Sequence, residues 1–471
     1  MPTVAPAPLV HTHGAPDGLG DNEVPDELRD DRGGEERSTM SDAVPARRTN
    51  GTPDQPRRME PDRAGPRPIP RRGRGGRIMR LLALMGPAFV AGAWQFGPGN
   101  LASAVQAGSG FGYSLIWVIV VSTILMIAFT DMSVRIAIVS RGSVVETVKR
   151  TLGRPVGAAA GLGVFAITLM FAVGNAVGAG LGLSLVLGGS PVWWTLACTA
   201  VVATFLFTRG LYGVIEKVLL VMVAAMAVCF VVTAVLSRPD WNAAAAGMLP
   251  TVPPGTGLLL VALVGTNFSI NAAFYTGYAS RERGLRRDQY RQTTLADTIP
   301  GIVAPGIMTV LVIIASAAVL SGEQSAGLAD LAGVLEPIAG QTGRIIFALG
   351  FFGAAFSSML ANATAGGTLL SDGLGGGDRV SSPRVRLGIL AVLAFGALVT
   401  AAVGGSPIQL IIIAQALTVV VAPLLGLLLI ILVNNHSLMD DLRNRWWHNT
   451  IAAIGLIAIL ATCYRLITSL L

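Results

Sequence analysis

The sequence predicts an all-α integral membrane protein with about 11 transmembrane helices. They fall into two five-helix halves of inverted topology, and the first helix of each half is broken. Three observations carry this. The chain is 52% hydrophobic with only 13% charged residues. Its mean hydropathy is +0.63. Two apolar runs five spans apart are interrupted by small and polar residues, at Gly97-Pro98-Gly99 and at Gly265, Thr266, Asn267, Ser269 and Asn271.

Charge is distributed unevenly. Residues 1–80 hold 14 Arg and 13 acids, leaving 34 charges for the 391 residues that follow. A soluble core of that size needs a more polar shell, so the body belongs to the membrane class. Residues 1–76 are rich in Pro, Gly, Asp, Glu and Arg with few large apolar side chains. Such a segment buries too little surface to offset its chain entropy and is expected to form a disordered cytoplasmic tail, with the transmembrane domain at 77–471. No early apolar stretch marks a cleavable leader. Arg63 to Arg80 contains seven Arg and no acid, which suits a positive-inside anchor for the first helix. Those arginines account for the basic balance without nucleic acid as a partner.

About 20 apolar residues cross a bilayer as a helix. Candidate spans run near 82–107, 113–138, 157–187, 191–208, 213–236, 256–279, 295–320, 340–370, 385–403, 407–432 and 449–469. With the tail inside, the cytoplasmic loops hold 16 basic residues and the outer loops two, Arg238 and Arg344. This bias places the chain as a multi-pass protein of the plasma membrane, N-terminus cytoplasmic and C-terminus outside.

The two broken spans are the functional signal. Pro98 removes a backbone donor, and its glycine neighbours tolerate unwinding. Unwound backbone survives at membrane depth only where it is buried in protein or lines a cavity. Breaks at equivalent places in two halves point to a secondary transporter with its substrate at the midplane. Cys198, Cys229 and Cys463 follow no zinc spacing, and His11, His13, His436 and His448 lie outside the spans. No cofactor is expected. No nucleophile–base pair or phosphate loop speaks for an enzyme, and nothing in the sequence sets an oligomeric state.

The stretch GPGNLASAVQAGSGFGYSLIWVIV resembles the first helix of the NRAMP family of divalent-metal transporters, whose hallmark there is Asp-Pro-Gly-Asn. Residues 295–301, 347–374 and 411–452 are similar to its seventh, eighth and tenth helices. The resemblance spans 80–471 and implies a LeuT-like fold with alternating access. It also implies a site. The family's Asp falls on Gly97 and its Asn on Asn100. The Met-Pro-His of the sixth helix becomes Ser269-Ile270-Asn271. The metal-facing carbonyls fall at Trp94 and Thr266, and the Gln of the tenth helix is Gln415. Two acids of the third helix, used for proton passage, become Ala172 and Asn175. Asp297 keeps an acidic position at the start of span 7, as a gating or coupling candidate or a helix N-terminal acid. Asp131 and Arg135 form an i, i+4 pair in span 2.

The missing groups matter physically. A divalent ion leaving water needs anionic or many oxygen ligands, and a thioether favours soft metals. A proton path needs groups that titrate. The resemblance therefore implies transport of a divalent cation of the Mn, Fe or Mg class through a weakened, neutral site without the family's proton coupling. In that reading Asn100 and Gln415 are the metal-touching side chains. A second reading is transport of a small organic solute, carrying a carboxylate that the positive end of a half-helix at Gly97-Pro98-Gly99 would attract. A third is a non-transporting sensor or scaffold, for which the long tail speaks.

Overall fold

The spans end where local chemistry predicts. A computed structural model of the chain describes residues 95–140, 142–205, 212–320, 332–403 and 406–470. All belong to the second of two units into which the chain divides, Pro68–Leu471. The expected tail and the start of span 1, including Trp94, lie outside the described residues. The described residues are helical with no strand.

The first half contributes α1 (Pro98–Phe111), α2 (Ile116–Val139), a short amphipathic α3 (Val144–Leu152), α4 (Arg154–Leu187), α5 (Pro191–Phe205) and α6 (Tyr212–Leu236). After a one-turn-and-a-half helix, α7 (Trp241–Ala246), the second half opens with α8 (Gly257–Asn267) and α9 (Ile270–Glu282). It continues through α10 (Ile299–Val319), α11 (Glu336–Gly373), α12 (Pro383–Ala402), α13 (Pro407–Leu417) and α14 (Ala422–Asn434). A final α15 (Trp446–Leu470) follows. Proline at the first turn of α1, α4, α11, α12, α13 and α14 costs no intrahelical hydrogen bond there and marks the starts.

Eight described helical stretches are long and apolar enough to span a membrane, with α5 and part of α6 shorter but apolar. Expected and observed spans agree within a few residues, with one difference. The tenth span is two helices, α13 and α14, joined by a turn at Thr418–Val420. Pro423 cannot donate to the carbonyl four residues back, and the run Thr418-Val419-Val420-Val421 is β-branched, so the α ladder stops there.

The halves pack as an inverted repeat requires. The packing of α1 on α10 is matched by that of α9 on α2, and α4 lies along α11 in the most extensive helix pair. Small residues make that pair possible. A Cβ on Gly161 of α4 would sit 2.7 Å from the Leu369 carbonyl oxygen and 2.8 Å from Gly373 Cα of α11. Without a hydrophobic driving force between helices in lipid, such close backbone approach supplies the packing. The outer faces are apolar, Leu398 being 67% and Ile457 66% exposed, as hydrocarbon contact requires.

The two ends of the bundle differ. Where α1 finishes and α8 and α13 begin, a vestibule of about 490 Å³ opens, with Gln106, Phe111, Leu258, Gln409 and Ile412 on its wall. At the other end charged groups tie the helices together. Asp372, in the last turn of α11, accepts from Ser143 Oγ and lies 3.1 Å from Lys149 Nζ. Lys149 also meets Glu146 at 2.6 Å. Arg281 of α9 pairs with Asp378. Arg135 Nε lies 2.8 Å from Asp131 Oδ2, the expected pair, and its other nitrogens reach the Leu442 carbonyl at 2.9 Å and Asn444 at 2.8 Å. Tyr290 donates to Asp131 at 2.6 Å.

Two outcomes follow from this packing. Gly161→Val forces backbone against backbone and should cost about 1–3 kcal/mol, read as a lowered melting temperature in detergent. Gly257→Ala, where an added Cβ meets nothing within 4 Å, should leave it unchanged. The Lys149 hydrogen bond, then that of Arg150, holds the Glu146 carboxyl below its ordinary 4.5. Burial opposes the Lys149 ammonium, but the hydrogen bonds it donates to Glu146 and Asp372 outweigh it and raise Lys149 above 10.5. The stabilisation from Glu146 is complete above its unfolded value and is lost as pH falls through the lowered one; that from Lys149 is complete below 10.5 and is lost as pH rises beyond it. Melting temperature should therefore keep a plateau between these limits, and Glu146→Gln should flatten its acid edge.

Candidate functional site

Three helix breaks meet inside the bundle, and each is closed by its own side chains. At the first, Gln95 ends a helical turn, Phe96 and Gly97 are extended or bent, and Pro98 starts α1. Asn100 Nδ2 reaches back to donate to the Gln95 carbonyl at 2.8 Å, so the broken helix end is not left unpaired. At the second, Phe268 and Ser269 leave helical geometry between α8 and α9. Ser269 Oγ donates to the Thr266 carbonyl at 2.8 Å. Asn267 Nδ2 ties the break to α2, at 2.7 Å from Ser122 Oγ and 3.0 Å from Thr123 Oγ1. Phe268 packs edge-on against Phe129 of α2, ring centroids 5.3 Å apart. At the third, Thr418 Oγ1 donates to the Gln415 carbonyl at 2.6 Å.

The breaks converge on Gln415, which is 1% exposed. Glycines from three helices surround it. A Cβ on Gly99 of α1 would lie 2.6 Å from its Cγ, and one on Gly174 of α4 would lie 2.5 Å from its Nε2. One on Gly265 of α8 would collide with the Gln415 carbonyl oxygen. Only the absence of a side chain at these positions lets α13 close onto the breaks.

A cavity of about 20 Å³ lies at this convergence. That is room for one water-sized occupant. Gln95, Gly97 and Gly99 form its wall at the first break, and Thr266, Ser269 and Asn271 form it at the second. Asn175 of α4, Gln415 of α13, and Ser358 and Asn362 of α11 complete the polar lining, with Phe171 and Ala272 as apolar contacts. None of these side chains is ionisable. Among the described residues no three His, Cys, Asp or Glu side chains cluster as metal ligands. Several buried polar atoms at the cavity have no hydrogen-bond partner: Asn271 Oδ1, Gln415 Oε1, Ser358 Oγ and Gln95 Nε2. Asn100 Oδ1, just behind the lining, is also unpartnered. An unpaired buried polar group is costly, so such a cluster is what a site awaiting a ligand presents.

The structure thus brings together Gly97, Asn175, Thr266, Ser269, Asn271 and Gln415 in one cavity. Asn100 is placed as the clasp of the first break rather than on the lining. The Thr266 carbonyl is engaged by Ser269. Asp297 stands apart, 1% exposed in a π-helical turn at Thr294–Thr298 ahead of α10. Trp94 lies outside the described residues. Sequence reasoning missed Gln95, Ser358 and Asn362. An Asn in the apolar run of α11 was a usable signal, because polar residues inside spans face the bundle interior and mark pathways.

Comparison with known proteins fits this geometry. The family model for natural resistance-associated macrophage protein-like (Nramp) proteins matches residues 88–469. The chain is 29% identical over 382 residues to the divalent metal cation transporter MntH of Klebsiella pneumoniae, covering 78% of this chain and 89% of that protein. It is 25% identical over 336 residues to MntH of Deinococcus radiodurans, covering 69% and 76%. The manganese transporter of Eremococcus coleocola, crystallised with an aromatic bis-isothiourea compound, superposes with a TM-score of 0.67 at 16% identity, over 83% of this chain and 87% of that one. MhsT in complex with L-phenylalanine superposes with a TM-score of 0.50 at 16% identity, over 80% and 98%. The last two likenesses establish the shared LeuT-like fold and leave the ligand to the site itself. With its broken spans, its midplane cavity and a family match across nearly the whole membrane domain, the chain belongs to the Nramp family.

Proposed function

We propose that the protein is an alternating-access secondary transporter that moves a divalent cation across the plasma membrane through an uncharged site. The observation that carries this is the cavity where the breaks meet, which presents unpartnered oxygens of Asn271, Gln415 and Ser358 and no titratable side chain. The relatives named above as divalent metal cation and manganese transporters support the substrate class. Neutral oxygens offset dehydration less well than carboxylates do, so the ion is held weakly and keeps part of its water. Without a thioether at Ser269, a soft metal has no advantage over a hard one.

A vestibule at one end and a charged lattice at the other are the arrangement of a carrier closed on one side. Two turns of α1, about 10 Å, separate Gln106 in the vestibule from Gly99 at the cavity. Opening the other side requires α3, α9 and α11 to part at Asp372 and Asp378. The positive-inside bias supports placing the lattice on the cytoplasmic side. A cavity of about 20 Å³ holds a bare ion or a water and is too small for an amino acid or comparable organic solute, which weighs against that reading.

Purified protein in liposomes should take up Mn²⁺ or Mg²⁺ saturably. An internal pH dye should stay silent, with uptake nearly flat between about pH 5.5 and 8, because Ser, Thr, Asn and Gln do not titrate there. No saturable uptake by folded protein would sink the proposal. Gly97→Asp should lower the half-saturating Mn²⁺ concentration about tenfold or more, since a carboxylate at the cavity attracts the ion across a few ångströms of low-dielectric protein. The backbone accepts the change: Gly97 has φ −83° and ψ −179°, ordinary extended geometry at the N-cap of α1, where Asp is favourable. A substrate bearing a carboxylate would instead be repelled by this variant.

A further inference from the structure

The amides at the cavity are not free to choose which atom faces the ligand. The Thr168 backbone carbonyl of α4 can only accept a hydrogen bond. Asn362 of α11 donates to it through Nδ2 at 2.9 Å. That fixes Asn362 Oδ1 as an acceptor, and Asn271 of α9 donates its own Nδ2 there at 3.2 Å. Asn271 Oδ1 is left in the cavity wall without a partner. Asn271 is 3% and Asn362 5% exposed, so bulk solvent does not reach these groups. Turning the Asn362 amide over would set its oxygen against the Thr168 oxygen with no proton between them. The register is held from outside the cavity: one turn along α11, Gly366 lets the helix close onto Thr168, whose Cβ would be 2.9 Å from a Cβ there.

We propose that Asn362 is a positioning residue that sets the polarity of the site: anchored on Thr168, it turns the oxygen of Asn271, and not its nitrogen, toward the transported ion. The proposal rests on the cation-transport reading and adds the reason an uncharged site prefers a cation. The same logic holds at the first break, where the Gln95 carbonyl takes the Asn100 nitrogen and leaves Asn100 Oδ1 unpartnered. A chain of neutral amides pinned at a backbone carbonyl thereby supplies a directional dipole where a carboxylate would supply charge.

The test is Mn²⁺ uptake in proteoliposomes carrying the parent protein, Asn362→Leu, Asn362→Asp, Asn271→Ala, and Asn271→Ala with Asn362→Leu, each checked by melting temperature. Asn362→Leu frees the Asn271 amide to rotate, so half-saturation should rise about fivefold with maximal rate within about twofold, the weight of one oriented neutral hydrogen-bonding group. Asn271→Ala should raise it at least as much, and the double variant should match Asn271→Ala alone, because Asn362 acts through Asn271. Asn362→Asp weakens the Thr168 anchor but still presents an acceptor to Asn271, so its half-saturation should rise less than that of Asn362→Leu. Equal losses in the Leu and Asp variants, additive losses in the double variant, or an unchanged Leu variant would each overturn the positioning role while leaving transport intact. A parent protein that takes up no cation would overturn the transport reading and this proposal with it. Should Asn362→Leu fail to fold, a half-saturation in Asn362→Asp raised as far as that in Asn271→Ala would by itself overturn the role.

Discussion

Backbone groups freed from a helix inside a membrane must find partners within the protein, and the rest of this structure is arranged around that need. Three spans unwind near the same depth. Each break carries a short polar side chain that returns to the helix end it has just left: Asn100 to Gln95, Ser269 to Thr266, Thr418 to Gln415. Because the clasps are local, each break pairs one of its freed carbonyls without help from another helix. The surrounding helices then close down to a cavity large enough for one small occupant. The glycines at 99, 174 and 265 are a consequence, since any side chain there would occupy the space into which Gln415 folds.

The chemistry of the cavity follows from the same economy of charge. Among the described residues no carboxylate, imidazole or thiolate lines it, so in the proposed reading selectivity rests on dipoles, and dipoles discriminate only when their direction is fixed. Direction comes from backbone carbonyls, which cannot reverse their role. The pair of helices that holds the Asn362–Thr168 hydrogen bond, α4 and α11, also makes the most extensive helix contact. Charge is concentrated at one end instead, where Asp372, Lys149, Arg281 and Asp378 join helices from both halves of the repeat.

Much of the fold was legible. Hydropathy located the spans because lipid-facing and core-facing residues are both apolar, and proline marked their starts. The breaks at Gly97-Pro98-Gly99 and Phe268-Ser269 were visible because small and polar residues in an apolar run have a single physical reading. The break between α13 and α14 was less visible. A β-branched run before Pro423 looks the same in an uninterrupted core helix, and hydropathy does not register a lost ladder bond. For the site, Gly97, Ser269, Asn271 and Gln415 were reachable through residue-by-residue resemblance; Asn362 offered only the signal of a polar residue in an apolar run, and nothing in the linear order ties it or Ser358 to the breaks.

The sequence by itself determined that the chain crosses a membrane, where it crosses, and that two of its spans are interrupted by small and polar residues. These are properties of residue type and spacing. Only the tertiary structure decided that Asn100 clasps a helix end while Asn271 faces the cavity, and that three helices share one Gln415. The direction of an amide depends on which neighbour can donate and which can only accept, and that neighbour, Thr168, lies 194 residues from the Asn362 that reads it.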